Sequence, residues 1–199
     1  MSAIGAVVLA AGMSTRMGEH KLLLRAGGRP LFHYAARAAL AASLEPVVVV
    51  GGYRFDALAA EVDLFYGQIE LVENKRYASG MASSLQAGIQ AMEGRTDAAF
   101  VFVADQPLVP VLAIDAMVRQ YEREYADGVR IIRPLYGDAP GHPVLFDAEI
   151  YGEFRHLAGD EGGRSIVVKD RSRVQTVIFA NAVWGFDVDT PDDYERVRA

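Results

Sequence analysis

The stretch Val7–Lys21, VVLAAGMSTRMGEHK, decides the reading of this chain. An apolar run ends in a turn of small residues, Ala10, Ala11 and Gly12, which leads on to Ser14, Arg16 and Lys21. Small residues let a ligand approach the main chain closely, and unpaired N–H groups backed by two cations suit a polyphosphate. The plainer alternative is a tight strand-to-helix connection with Arg16 and Lys21 merely solvated. Better-known glycine-rich loops do not fit. Gly18 is followed by Glu19, so there is no Walker GxxxxGK[ST], and a GxGxxG fingerprint is absent as well.

Outward from this turn, short apolar runs alternate with longer amphipathic ones, which predicts an α/β fold with a mostly parallel, helix-covered sheet. Strands are expected at Ala6–Leu9, Pro46–Val50, Ile69–Glu73, Ala98–Ala104 and Val129–Arg133, each short and rich in β-branched or aromatic residues. Leu31, Tyr34, Ala35 and Ala38 follow helical spacing behind Pro30, and further helices are expected at Met81–Met92 and Leu112–Arg123. Beyond Tyr136 the rhythm loosens through YGDAPGHP, a helix after Asp147 and the flexible LAGDEGGRS, followed by a late strand at Val174–Phe179. The closing TPDDYERVR reads as a capped helix, with Thr190 as N-cap and Pro191 at its first position. No repeat, low-complexity tract or linker interrupts residues 1–199, so one domain is expected.

Composition narrows the chemistry. The 199 residues contain no cysteine, which excludes disulfides, thiolate metal sites and a Cys nucleophile. His20, His33, His142 and His156 show no paired zinc spacing. A net charge of −6 argues against nucleic acid as a partner, yet leaves nucleotides open, because an acidic site can hold Mg²⁺ and the metal then faces the phosphates. No apolar run approaches the roughly 18 residues of a membrane span. MSAIGAVVLAAG lacks a basic leader and reads as a buried first strand, so a cytoplasmic protein away from membranes is expected.

In an open α/β sheet, ligands bind beyond the carboxyl ends of the strands. Asp105 ends the run AAFVFVA just before Gln106-Pro107, where a metal ligand or a helix cap are equally natural. In GFDVDTPDD, an extended Phe186–Asp189 would turn Asp187 and Asp189 to one face. Either could complete a Mg²⁺ site with Asp105, and Asp189 could instead only help the helix start. In ENKRYASGMASSLQAG, Ser83 and Ser84 either cap a helix or read a base or sugar edge, alongside Asn74 and Gly80. GHP (Gly141–Pro143) and GDEGGR (Gly159–Arg164) could be substrate-facing loops that close over a ligand. His142 is more naturally a hydrogen-bonding residue than a general base.

Taken in order, LAAGMSTRMGEHKLLL, NKRYASGMASSLQAG, VADQPLV, PLYGDAPGHPVLF, LAGDEGGRSIV and FDVDTPDDY resemble the nucleotidyltransferase superfamily. Within it they are most similar to the molybdenum cofactor cytidylyltransferases, over nearly the full length. The resemblance implies a Rossmann-like sheet carrying CTP, or another NTP, at the first loop. It places Leu9, Ala10, Ala11 and Gly12 at the base and ribose, and Ser14, Arg16 and Lys21 at the phosphates. It makes Asp105 a Mg²⁺ ligand with Asp187 as partner, and sets Asn74, Gly80 and Ser84 along the nucleotide cleft. Gly141, His142, Pro143, Gly159 and Asp160 would lie nearer a phosphorylated acceptor, molybdopterin in that family. Arg16, Lys21, Asp105 and Asp187 would carry catalysis, and Ala11 in LAAG resembles the cytidylyl rather than the guanylyl branch.

Two other readings stand beside this one. A related transferase could act on a sugar phosphate or another phosphorylated metabolite. From a different class, a non-catalytic cofactor carrier could load an apo molybdoenzyme, although such a carrier has no need of a metal-centred reaction site.

Overall fold

The computed structural model describes residues 2–13 and 20–198. The first strand, β1 (Ile4–Ala10), is buried along almost its whole length. A small hairpin, β2 (Arg25–Ala26) and β3 (Arg29–Pro30), leads into helix α1 (Leu31–Ala41). Then follow β4 (Val47–Gly51), α2 (Phe55–Val62), β5 (Glu70–Glu73), α3 (Met81–Met92), β6 (Ala98–Val103) and α4 (Val111–Glu124). The remaining elements are β7 (Ile131–Tyr136), β8 (Ala139–Pro140), β9 (Val144–Asp147), α5 (Arg164–Lys169), β10 (Val174–Phe179) and α6 (Pro191–Val197).

Eight strands form one sheet in the order β10-β7-β9-β6-β1-β4-β5, with β8 paired to β7. β1 lies between two parallel neighbours, so that Val8 stands opposite Val49 on one side and Phe102 on the other. Alternate residues of β1 point to opposite faces, as the two-residue period of a strand requires. Val8 joins Phe32 of α1, Leu58 of α2 and Ile114 of α4 in one apolar layer, while Val7 joins Leu85 and Ile89 of α3 in the other. Such a strand has nowhere to place a polar side chain except at its ends, which is why the chemistry gathers on the rim.

The expected parallel pattern holds for β1, β4, β5 and β6. The second half departs from it, because β9 runs antiparallel to both β6 and β7. Sequence reading did not resolve β9, whose four residues follow directly on the GHP turn. Nor did it resolve α2, which starts behind Arg54 in a left-handed conformation. The helix expected after Asp147 is a 3-10 segment, Ala148–His156, started by the Asp147 side chain accepting a hydrogen bond from Glu149 N at 2.7 Å. The final helix is capped as expected, with Thr190 and Asp193 forming a reciprocal capping box.

Gly88 marks where α3 presses on β1: a Cβ there would stand 2.3 Å from Val7 Cγ1. Alanine would gain helix propensity, about 1 kcal/mol, but Val7 is fully buried and has no room to withdraw. Gly88→Ala should therefore cost a net of about 1–2 kcal/mol, read as a lower urea midpoint with an unchanged slope.

Candidate active site

β1 and β6 end side by side, and the segments leaving them help to wall a cavity of about 440 Å³. Leu9, Ala11 and Gly12 supply one side, Gly80 and Ser84 another, and Lys21, Asp105, Asp160 and Asp189 the charges. Lys21 Nζ donates to Asp105 Oδ2 at 2.7 Å and to Asp189 Oδ1 at 2.8 Å. Its side chain is only 12% exposed, so the solvated reading of Lys21 does not hold. Burial by itself would lower the ammonium pKa, but the two carboxylates outweigh it and the net shift is upward. Lys21 is thus a fixed positive charge at neutral pH, bridging chain segments 84 and 168 residues away.

The acids divide their work. Asp105 does not cap a helix: α4 begins only at Val111, behind Pro110. Its main-chain carbonyl accepts from Val188 N at 3.0 Å and so ties the end of β6 to the segment before α6. Asp189 is not the starter of α6 either, since Thr190 and Asp193 fill that role. Asp187 takes no part in the Lys21 bridge and accepts from Gln106 Nε2 at 2.9 Å. Burial raises its pKa, opposed by the Gln106 hydrogen bond and reinforced by the charges of Asp105 and Asp189.

Gln106 is the residue that the sequence did not single out. Buried, it donates to Asp187 and accepts from His142 N at 3.1 Å through its other amide atom. One side chain therefore fixes the acidic segment relative to the GHP turn. Its only advance signal was its place between Asp105 and Pro107.

Ser83 and Ser84 do not cap α3; the N-cap is Gly80. Asn74 is buried behind the cavity, donating to Ser83 Oγ at 2.8 Å and Ser84 Oγ at 2.9 Å, so it supports the wall and does not line it. Gly80 has φ +109°, and a Cβ there would stand 2.2 Å from the Gly159 carbonyl. Ala82 N donates to that same Gly159 oxygen at 3.0 Å. This backbone crossing brings Asp160 to the first cavity while Gly159 itself stays behind it.

Gly141 and His142 line a second cavity of about 590 Å³ that shares Leu9 and Met81 with the first. Pro143 stands outside its lining, and Ala10 is fully buried behind the first. His142 Nδ1 is sealed from solvent with no hydrogen-bond partner among the described residues, and burial pushes its imidazole below the usual range, so it is neutral at neutral pH. Ser14 and Arg16 lie outside the described residues.

Small-residue backbone, one lysine and several aspartates thus gather at the carboxyl rim of a parallel sheet, where open α/β enzymes bind their ligands. The chain belongs to the MobA-like NTP transferase domain family, matched over residues 6–174, and is a nucleotidyltransferase. It is 30% identical over 195 residues to the molybdenum cofactor cytidylyltransferase of Escherichia coli (strain K12), covering 98% of this chain and 95% of that one. Among solved structures, the Rv0371c homologue of Mycobacterium sp. strain JC1 superposes with a TM-score of 0.82 at 27% identity, covering 97% and 93% of the two chains. Rv0371c of Mycobacterium tuberculosis H37Rv, in complex with manganese, superposes with a TM-score of 0.73 at 27% identity, covering 98% and 97%.

The Gly80 crossing is directly testable. Its backbone lies in a region essentially reserved for glycine, so Gly80→Ala adds strain of about 1–3 kcal/mol. The strand order and secondary structure should survive by circular dichroism. Turnover should fall by more than about tenfold, because Asp160 and the wall between the cavities are displaced together.

Proposed function

We propose that the protein transfers a cytidylyl group from CTP to a phosphorylated acceptor, most specifically molybdopterin, and releases pyrophosphate. The observation that carries this reading is the Lys21 ammonium held between Asp105 and Asp189 beside the Ala11–Gly12 turn. The likeness to the Escherichia coli cytidylyltransferase supports the choice of CTP and of molybdopterin.

In the reaction, an acceptor phosphate oxygen attacks the α-phosphorus, the new O–P bond forms, and the bond to the β-phosphate breaks as pyrophosphate leaves. No covalent enzyme intermediate is required, in keeping with the absence of cysteine. The acceptor phosphate is already ionised at neutral pH, so no side chain has to remove a proton. His142, neutral and facing the second cavity, stays outside the proton chemistry. Catalysis then rests on orientation and on fixed charge. Main-chain groups of Ala11 and Gly12 take the nucleoside, with Gly80 and Ser84 across the cleft from them. Lys21, and Arg16 from the loop before it, steady the triphosphate and the departing pyrophosphate.

A divalent metal fits the donor set. Lys21 already fills a cation position between two carboxylate oxygens, and oxygen donors of this kind suit Mg²⁺. Among the described residues, no three His, Asp or Glu side chains form a cage, and Mg²⁺ commonly takes only one or two carboxylates, with phosphate oxygens completing its shell. Asp105 would hold it, with Asp187 as second ligand, and Asp189 is the neighbouring alternative. When bound, the metal supplies neutralisation of charge on the phosphate oxygens.

Asp105→Ala should abolish metal-dependent pyrophosphate release from CTP and molybdopterin while leaving the fold intact by circular dichroism. Near-normal release would overturn the assignment of Asp105. Lys21→Ala should lower kcat/KM for CTP by about 10²–10³, by analogy with the loss of one stabilising donor. Pyrophosphate release compared across CTP, ATP, GTP and UTP tests the base, and release with CTP but only from a sugar phosphate would transfer the activity to that acceptor class.

A further inference from the structure

The two cavities carry opposite charge. The first is lined by Lys21 against Asp105, Asp160 and Asp189. The second has no carboxylate in its described lining and carries Arg133, Arg164 and Arg171. This reversal occurs in a chain whose net charge is −6. Several arginines elsewhere are neutralised in place: Arg95 holds Glu70, Arg130 holds Glu149 and Arg173 holds Glu153. Among the described residues, none of the three in the second cavity pairs with an acid, and Arg133 uses only its Nε, donating to Thr176 Oγ1 at 3.1 Å. Arg164 and Arg171 are exposed, Arg133 is half-buried, and between them Val101, Val144 and Phe146 give the chamber an apolar wall.

The geometry points to an acceptor that carries two separated anionic groups on an apolar or ring-like body, with the second group bound by Arg133, Arg164 and Arg171. This rests on the reading of the first cavity as the nucleotide site. The attacking phosphate must reach the first cavity, which shares Leu9 and Met81 with the second, and none of the three arginines lines that cavity. A charge that they bind is therefore not the one that reacts. Unpaired guanidiniums beside apolar walls favour an oxyanion on a hydrophobic frame, since each guanidinium offers forked donors and little competing hydration. A volume of about 590 Å³ is that of a small-molecule site.

The probe is 8-anilinonaphthalene-1-sulfonate, an apolar frame with one sulfonate, compared with its uncharged relative N-phenyl-1-naphthylamine. Both are titrated by fluorescence into the full chain, into Arg133→Gln, and into the Arg164→Gln/Arg171→Gln double variant. The wild-type chain should bind the sulfonate at least about tenfold more tightly than the neutral amine. The double variant should erase that preference while keeping its affinity for the amine, and Arg133→Gln should reduce it. Equal affinities in the wild-type chain, or a preference that survives in the double variant, would overturn the inference. The nucleotide reading is followed separately through the thermal shift produced by CTP with Mg²⁺, which should be the same in all three proteins. Loss of that shift in the wild-type chain would remove the nucleotide site and leave the sulfonate result standing as evidence on the second cavity alone.

Discussion

A lysine withdrawn from water between two carboxylates holds this site together. Leaving one of those carboxylates without the ammonium would strand a half-buried charge, and breaking such a pair costs far more than forming it gains. Lys21 therefore fixes three remote pieces of chain at once: the segment after β1, the end of β6 and the approach to α6. The Val188 N hydrogen bond to the Asp105 carbonyl fastens the last two again through the main chain. The β1–β6 pairing beneath them provides the rigid base.

Around that clamp, positions are set by contacts that cross between loops. Gly80 and Gly159 meet backbone to backbone, Asn74 braces two serines, and Gln106 spans from Asp187 to the GHP turn. Gln106 in particular ties the acidic segment before α6 to the GHP turn of the second cavity. The two chambers are thus coupled, and a shift of the GHP turn reaches Asp187 through a single amide. Gln106 is buried and uses both ends of that amide, so it has no slack with which to absorb such a shift.

These cross-links explain what could and could not be read in the sequence. Strands buried on both faces write themselves as apolar runs, and α3 and β10 fall at their expected bounds. Helix periodicity also located α1 and α4 to within a few residues. β9 was hidden because three apolar residues and Asp147 after the GHP turn carry no period, and α2 because its Ala-rich turns follow an irregular start. Lys21, Asp105 and the two C-terminal acids stood out as candidates, yet their pairing could not be read, since an ion pair across 168 residues leaves no local pattern. Asn74 was visible as a polar residue after a strand. That it faces Ser83 and Ser84 and not the cavity depends on which way the loop turns.

The charges also bear on what the first cavity needs from outside. Its described lining sets one lysine against three aspartates, which by itself repels a triphosphate. Two of the three Lys21 N–H donors serve Asp105 and Asp189, which leaves one to offset this repulsion. On the proposed function, further positive charge arrives with the substrate, and a divalent cation meets the need most compactly because it takes carboxylate and phosphate oxygens together. On that reading, the carboxylates that disfavour a bare triphosphate accept one that is already metal-bound. An acidic chain can in this way bind a polyanion selectively, with affinity controlled by the cation that accompanies it.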